Sequence, residues 1–348
     1  MTTLLPVDRS PLARAGFFIV AVLGAALIAS PWLAPREITT ADRKPIVLKA
    51  GHTSNTDEPY HQGLLEFARI VEERSDGQVS IQIYPSSQLG NERMMIEGLL
   101  LGTLDIVVTA NGSASSFVPQ LGILDLPFLF RDRQHLYEVL DGDVGAELRG
   151  DAAARGFRIL GFYDAGVRHI MTRERPVESL EDLREQKIRT MPVPAHLASF
   201  NAFGAQAVAI NYGEMYGSLQ TGLIDGAEAA NTNFTRKKFY EVAPNWAQVG
   251  WIILVANMVM SEEAFNALPT DVQQILRDAG EASARRERVL YRESDEALLS
   301  TILAQGVKVT YPDTQPFRDA AAQIYPEFVV SDREQALLRM IQREGIEP

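Results

Sequence analysis

Two arginines about twenty residues apart carry the chemistry that this chain offers most plainly. Arg168 stands in Gly161-Phe162-Tyr163-Asp164-Ala165-Gly166-Val167-Arg168-His169-Ile170-Met171-Thr172, and Arg189 in Lys187-Ile188-Arg189-Thr190-Met191-Pro192. Both have β-branched or large apolar neighbours, which reads as strand and not as a solvated helix face. An unpaired charge in such a setting is expensive, so each guanidinium needs a partner. One candidate partner is internal: Asp164, Glu228 or another carboxylate. The other is a ligand anion, for which arginine is suited because its planar fork makes two parallel bonds to one carboxylate. The residues alone leave both open. Around the pair, His169 reads as a satisfied strand residue, Tyr212, Phe234 and Trp251 as core, and Asp225 and Glu228 as capping or pairing acids.

Other chemistries find little support. The histidines, His52, His61, His135, His169 and His196, form no HExxH pattern, so neither a metal nor a metal-borne cofactor is expected. There is no cysteine, which removes disulfides, thiolate catalysis and cysteine-ligated zinc. No GxSxG elbow, P-loop or GxGxxG after the first strand appears. The carboxylates are scattered without a suggestive pair for acid-base work, and most read as solvated helix surface. The chain is therefore read as a binder and not as an enzyme. A net charge of -12 argues against nucleic acid and means that an anion would be held by a local positive site against the global field.

The elements that must position the arginines follow from periodicity. Arg9 and Arg14 precede an apolar run, Ala15 to Ser30, that continues to Trp32-Leu33. This reads as an export signal over residues 1–35, with Thr39-Thr40-Ala41 as one cleavage candidate, or as an uncleaved anchor. A polar linker, 36–45, follows. Strands are expected at 45–52, 79–85 and 104–109, with helices at 60–75 and up to Leu101, capped by Gly102; that order suggests parallel βαβ units. A helix over 135–149 and a strand over 157–163 lead to the two arginine strands. Then come a helix at 195–203, a strand at 207–210, a helix at 212–221 and a strand at 223–228. A periodic run from Asp271 to Gln305, interrupted by Gly280, would be a helix roughly 50 Å long. The tail, 311–347, is mostly helical. A chain of 348 residues is enough for two α/β domains with real cores. After the leader no further membrane span is expected, since the apolar stretch at 252–260 is too short.

Several ordered segments then add a resemblance. Tyr84-Pro85-Ser86-Ser87-Gln88-Leu89-Gly90, Gly102-Thr103-Leu104-Asp105, Leu124-Asp125-Leu126-Pro127-Phe128, Lys187-Ile188-Arg189, Leu219-Gln220-Thr221-Gly222-Leu223-Ile224-Asp225-Gly226-Ala227-Glu228 and Lys238-Phe239-Tyr240-Glu241-Val242 together resemble the DctP-type solute-binding subunits of tripartite ATP-independent periplasmic (TRAP) transporters. The resemblance spans about residues 46–345. It implies an α/β fold of two domains with mixed sheets flanked by helices, closing on a ligand, and a long helix, about 271–305, spanning both. Domain I would be 46–166 with a return segment 255–290, and domain II 167–254 with the C-terminal segment 291–348. It further implies a periplasmic monomer that delivers a small organic acid to the permease membrane subunits.

The resemblance also implies roles. Arg189 matches the family arginine that pairs with the substrate carboxylate, Arg168 matches a second arginine, and Tyr212 falls where an aromatic lines the pocket. Glu228 lies beside them. One departure stands out: after Glu228 many members carry an asparagine, and this chain has Ala229-Ala230-Asn231. Asn231 or Asn233 would then supply the missing amide; in a strand Asn231 would share a face with Ala229. His52, Asn55 and Asn111 would line the other domain's side; His52 and Asn111 fall outside the carboxyl ends of their strands, where open α/β sheets bind ligands. With alanine at 229, a monocarboxylate with an apolar or longer body is expected to be preferred over a compact dicarboxylate. Two rival functions remain: a sensor module presenting its ligand to a membrane kinase, and a periplasmic enzyme acting on an organic acid.

Overall fold

The computed structural model describes residues 44–345. The basic and apolar leader and most of the linker lie outside the described residues. The first strands and helices alternate: β1 (Ile46–Gly51), α1 (Pro59–Arg74), β2 (Val79–Tyr84), α2 (Glu92–Leu100), β3 (Ile106–Ala110) and a short α3 (Asn111–Ser115). A 3₁₀ turn, Pro119–Asp125, leads to α4 (Arg133–Asp141) and α5 (Asp143–Ala153). Next come β4 (Phe157–Thr172), β5 (Lys187–Thr190), α6 (Pro194–Ala202), β6 (Gln206–Ala209), α7 (Met215–Thr221), β7 (Gly226–Ala229) and α8 (Asn231–Arg236). The chain continues through β8 (Asn245–Ser261), α9 (Glu262–Ala267), α10 (Thr270–Ala304), β9 (Lys308–Thr310), α11 (Gln315–Ala322), α12 (Tyr325–Phe328) and α13 (Asp332–Arg343).

These strands form one mixed sheet in the order β2-β1-β3-β8-β4-β7-β5-β6, with β9 beside β8. β1 runs parallel to β2 and β3, and β5 parallel to β6 and β7, as βαβ connections require. Between these two flanks lie β4 and β8, sixteen and seventeen residues long and antiparallel to each other. Their pairing shifts register between Ile159 and Gly161, between Asp164 and Val167, and between Arg168 and Ile170. Such bulges bend a strand and re-aim the side chains beside them. The middle bulge lies just before Arg168. It holds Gly166 at φ +85°, where a Cβ would sit 2.7 Å from the Tyr291 ring.

Two details differ from the expectations. The helix over 135–149 is two helices, because Gly142 breaks it: its φ and ψ of -91° and -157° are extended. The strand over 157–163 and the Arg168 strand are one continuous β4. The apolar stretch at 252–260 is the centre of β8, paired on both edges and buried over most of its length, hence apolar without being membranous. Among the described residues no helix is long and apolar enough to cross a membrane.

Helix α10 is unbroken over 35 residues and packs on α1, β4 and α8. Gly280 is no interruption. There the helix packs tightly on β4: a Cβ at Gly280 would overlap the Leu160 carbonyl and come within 2.9 Å of the Leu160 side chain. The helix thus joins the first flank, through α1, to the second, through α8.

Candidate functional site

The sheet order explains how two distant arginines meet. β7 lies between β4 and β5, so Glu228 on β7 stands between Arg168 on β4 and Arg189 on β5. Arg168 donates from Nε to Glu228 Oε2 at 2.7 Å and from Nη2 to the Glu228 carbonyl at 3.2 Å. Arg189 donates from Nη1 to Glu228 Oε1 at 3.1 Å and from Nε to the Ile210 carbonyl at 2.8 Å. All three residues are buried. The internal partner is thus Glu228, whereas Asp164 is taken by Arg133 at 2.8 Å.

Pairing does not exhaust the cations. Two guanidiniums surround one carboxylate, so this three-residue cluster carries an excess of about one positive charge, with Glu58 and Glu92 as further carboxylates across the cleft. Among the described residues, Arg189 Nη2 donates to none, and Arg189 lines the wall of a cleft of about 430 Å³. Burial weakens the hold of Arg168 on its proton, but Glu228 outweighs this and the net effect is upward. For Arg189 burial wins over Glu228 and the net effect is downward. Arg189 is therefore the less well compensated cation, and arginine stays charged regardless.

The cleft lies between the flanks. From the first come Ser54, Glu58, Glu92 and Ser113; from the second come Arg168, Arg189, Tyr212 and Asn233; and Tyr291 of α10 closes one side. Tyr212, in a 3₁₀ turn just after β6, packs edge-on against Phe239 and carries Lys237 over its ring at 5.5 Å. Glu92 accepts from the Ala110 amide at 3.0 Å and from Ser113 Oγ at 2.6 Å, and burial pushes its carboxyl above the usual range.

Of the residues singled out in the sequence, the structure gathers Arg168, Arg189, Glu228, Tyr212 and Asn233 together. It does not bring His52, Asn111 or Asn231 to the cleft wall. His52 turns its Nε2 to His61 Nδ1 at 3.1 Å, and the adjacent Thr53 and Ser54 take the wall instead. Asn111 donates to the Leu121 carbonyl at 2.8 Å and accepts from Asn257 at 3.1 Å, leaving the wall to Gly112 and Ser113. Asn231 is not in a strand with Ala229. β7 ends at Ala229, Asn231 opens α8, and its Oδ1 accepts from Trp246 at 2.9 Å and Gln248 at 3.0 Å. Ala229 is itself buried against Phe234 and Trp246, so it forms no wall. The apolar body inferred from it loses its footing, for the polar Glu92, Ser113 and Asn233 face the cleft.

His169 is satisfied, its Nδ1 accepting from the Gly250 amide at 3.0 Å. Phe234 and Trp251 are buried core, and Asp225 accepts from the Lys187 amide at 2.8 Å. The acids depart most from expectation. Glu58, Asp125, Glu287 and Asp295 are buried, not solvated, whereas Asp164 and Glu228 are buried as paired acids, as expected. A signal existed for some of them. Glu228 is a lone acid among Gly226, Ala227, Ala229 and Ala230, and Asp164 follows Phe162-Tyr163. Glu58 and Glu92 sit at helix starts, where an acid is commonplace.

Comparison with known proteins bears on what fills such a cleft. Residues 50–332 match the family described as bacterial extracellular solute-binding protein, family 7. A solute-binding protein of Verminephrobacter eiseniae (strain EF01-2) is 34% identical over 73% of this chain and 77% of its own. The 2,3-diketo-L-gulonate-binding periplasmic protein of Escherichia coli (strain K12) is 29% identical over 82% of this chain and 87% of its own. Among solved structures, a TRAP periplasmic solute-binding protein from Xanthobacter autotrophicus Py2 with bound β-D-galacturonate superposes with a TM-score of 0.83, covering 85% of this chain and 99% of that one, at 29% identity.

Proposed function

The chain belongs to bacterial extracellular solute-binding protein family 7, and from that membership we propose that it is the capture subunit of a TRAP transporter for a sugar acid, a polyhydroxylated monocarboxylate. The observation that carries this is the pair of guanidiniums around one carboxylate, with Arg189 Nη2 unpaired among the described residues and Arg189 lining the cleft. A local charge of +1 is balanced by one carboxylate, and the planar fork of Arg189 suits it. Across the cleft Glu92 and Ser113 add acceptors and donors, as hydroxyl groups require. Two of the related proteins are described with 2,3-diketo-L-gulonate and β-D-galacturonate, both oxygen-rich monocarboxylates. Tyr212 supplies a rigid ring beside the clamp.

The rest of the reading follows from transport. The acid is held without turnover and passed to permease membrane subunits, in the periplasm, by a monomer. The apolar leader serves as export signal or anchor. Capture proceeds by bending of β4 and β8 between a first domain, 46–166 with the return segment 255–290, and a second, 167–254 with the C-terminal segment 291–348, with a fall in the radius of gyration on binding measurable by X-ray scattering.

A thermal-shift screen tests the ligand class. Hexuronates and aldonates at a thousand times their dissociation constant are expected to add about 4 kcal/mol of stability. Stabilisation by compact C4-dicarboxylates alone, or by no acid, would sink the proposal. Recovery of a chemically altered acid after incubation would point to an enzyme instead.

A further inference from the structure

Behind the arginine clamp a chain of polar contacts leaves the second flank and ends on a carboxylate of the first. Arg168 Nη1 donates to Asn233 Oδ1 at 3.0 Å, and Tyr291 donates to the same oxygen at 3.2 Å. Asn233 Nδ2 in turn donates to Glu58 Oε2 at 2.9 Å. Glu58 precedes α1, is 1% exposed, and accepts from the Asn55 amide on its other oxygen at 2.9 Å. Lys237, one residue past the end of α8, stands 3.6 Å from that oxygen and donates to Asn55 Oδ1 at 2.6 Å.

We propose that Glu58 ties ligand capture to closure of the cleft, as a positioning residue that acts on the arginine clamp through Asn233. The argument is one of donor and acceptor direction. An amide offers one oxygen and one NH₂, and an ionised carboxylate only accepts. Glu58 therefore takes the NH₂ of Asn233 and leaves the oxygen facing Arg168. The reversed amide would set NH₂ against a guanidinium and oxygen against a carboxylate, two repulsive contacts at once. The orientation of a cleft side chain on the second flank is thus dictated by an acid on the first, and only while the flanks are together. Once they part, Asn233 is free to turn and Arg168 loses a fixed acceptor. Burial pushes the Glu58 carboxyl upward, opposed by Lys237 and by the bonds from Asn55 and Asn233, so the contact depends on those partners.

A contact made only in the closed cleft acts on release more than on encounter. This inference rests on the sugar-acid reading, and stopped-flow measurement with D-galacturonate separates the two. If the wild-type protein binds no acid, both fall together. If it binds, Glu58→Gln is expected to release at least tenfold faster, with the association rate changed less than threefold. Asn233→Asp, which opposes two carboxylates, should do the same. The double variant Glu58→Gln/Asn233→Asp restores one donor and one acceptor with the direction reversed, while the second carboxylate oxygen still accepts from Arg168. Its release is expected within threefold of wild type, a rescue that mere loss of folding stability does not produce. Wild-type release from Glu58→Gln, or a double variant no better than its worse parent, overturns the proposal. Should Glu58→Gln fail to fold, the comparison of Asn233→Asp with the double variant carries the same decision.

Discussion

Replacing Arg189 by alanine is the most direct perturbation of the clamp. The guanidinium is 1% exposed and holds Ile210 and Glu228 as well as facing the cleft. Without it, Glu228 keeps Arg168 at 2.7 Å, so no buried carboxylate is orphaned, but the local charge falls from about +1 to zero. An opposite charge about 4 Å away at an effective dielectric of about 20 is worth about 4 kcal/mol. That agrees with the about 2–5 kcal/mol usual for truncating one side of a buried charge pair. The expected loss in affinity for D-galacturonate is therefore roughly 30- to 5,000-fold by titration calorimetry. Arg189→Lys keeps the charge but cannot bond Ile210 and a carboxylate together, and is expected to cost about tenfold, or 1.4 kcal/mol. A melting curve of each variant separates loss of binding from loss of fold. Affinity within twofold of wild type for Arg189→Ala, in a folded protein, refutes the charge argument and moves the anion site elsewhere.

Glu228→Gln should raise the local charge towards +2 and shift selectivity at least tenfold towards a hexarate dicarboxylate over D-galacturonate, read by competition titration; an unchanged ratio would mean that charge does not set selectivity. Gly280→Ala is expected to destabilise by about 1–3 kcal/mol despite alanine's better helix propensity, because the clash with Leu160 outweighs the roughly 1 kcal/mol gained, and calorimetric melting decides the sign. Burial pushes Asp125 up to about 7 despite the bond from Ser115, so the folded state holds its proton more tightly than the unfolded chain. Its contribution is favourable below pH about 4 and is lost as pH rises to about 7. Asp125→Asn should therefore gain stability relative to wild type progressively between pH 4 and 8. His52, His169 and His196 are pulled down to about 3, mainly by burial, and act in the opposite sense, each costing stability as pH falls from about 6.5 to 3.

The local elements were legible because their signals are local. The alternation at 79–84, the stripe of α1 and the length of α10 are all periodicities, and the structure follows them within a residue or two. The pairing of Arg168 and Arg189 with an internal carboxylate was legible as one of two alternatives for a different reason: a buried arginine needs a partner. What could not be read was which side chain turns inward at a strand end. His52 and Asn111 occupy the right ends of β1 and β3, yet each is drawn inward by another side chain, His52 by His61 and Asn111 by the sequence-distant Asn257. The step from β7 into α8 between Ala229 and Asn231 breaks the alternation on which the asparagine argument stood. Buried acids such as Asp295 and Glu287 look like surface helix in sequence, because their partners, Arg133 and the Asp164 amide, come from α4 and β4 respectively.

The place of β8 in the sheet has a consequence for how the molecule is made. β8 is drawn from residues 245–261 but lies between β3 and β4, which are complete by residue 172. Until it arrives, the early strands form two separate ribbons, each with an apolar edge open to pairing with another chain. The central pairing is also remote in sequence, with Ile106 against Met260, and contacts of that kind form slowly. Neither half of the sheet is then a self-sufficient folding unit. A chain cut before residue 245 would lack the strand that joins the two halves, and the nascent protein must be kept from aggregation until that strand is available.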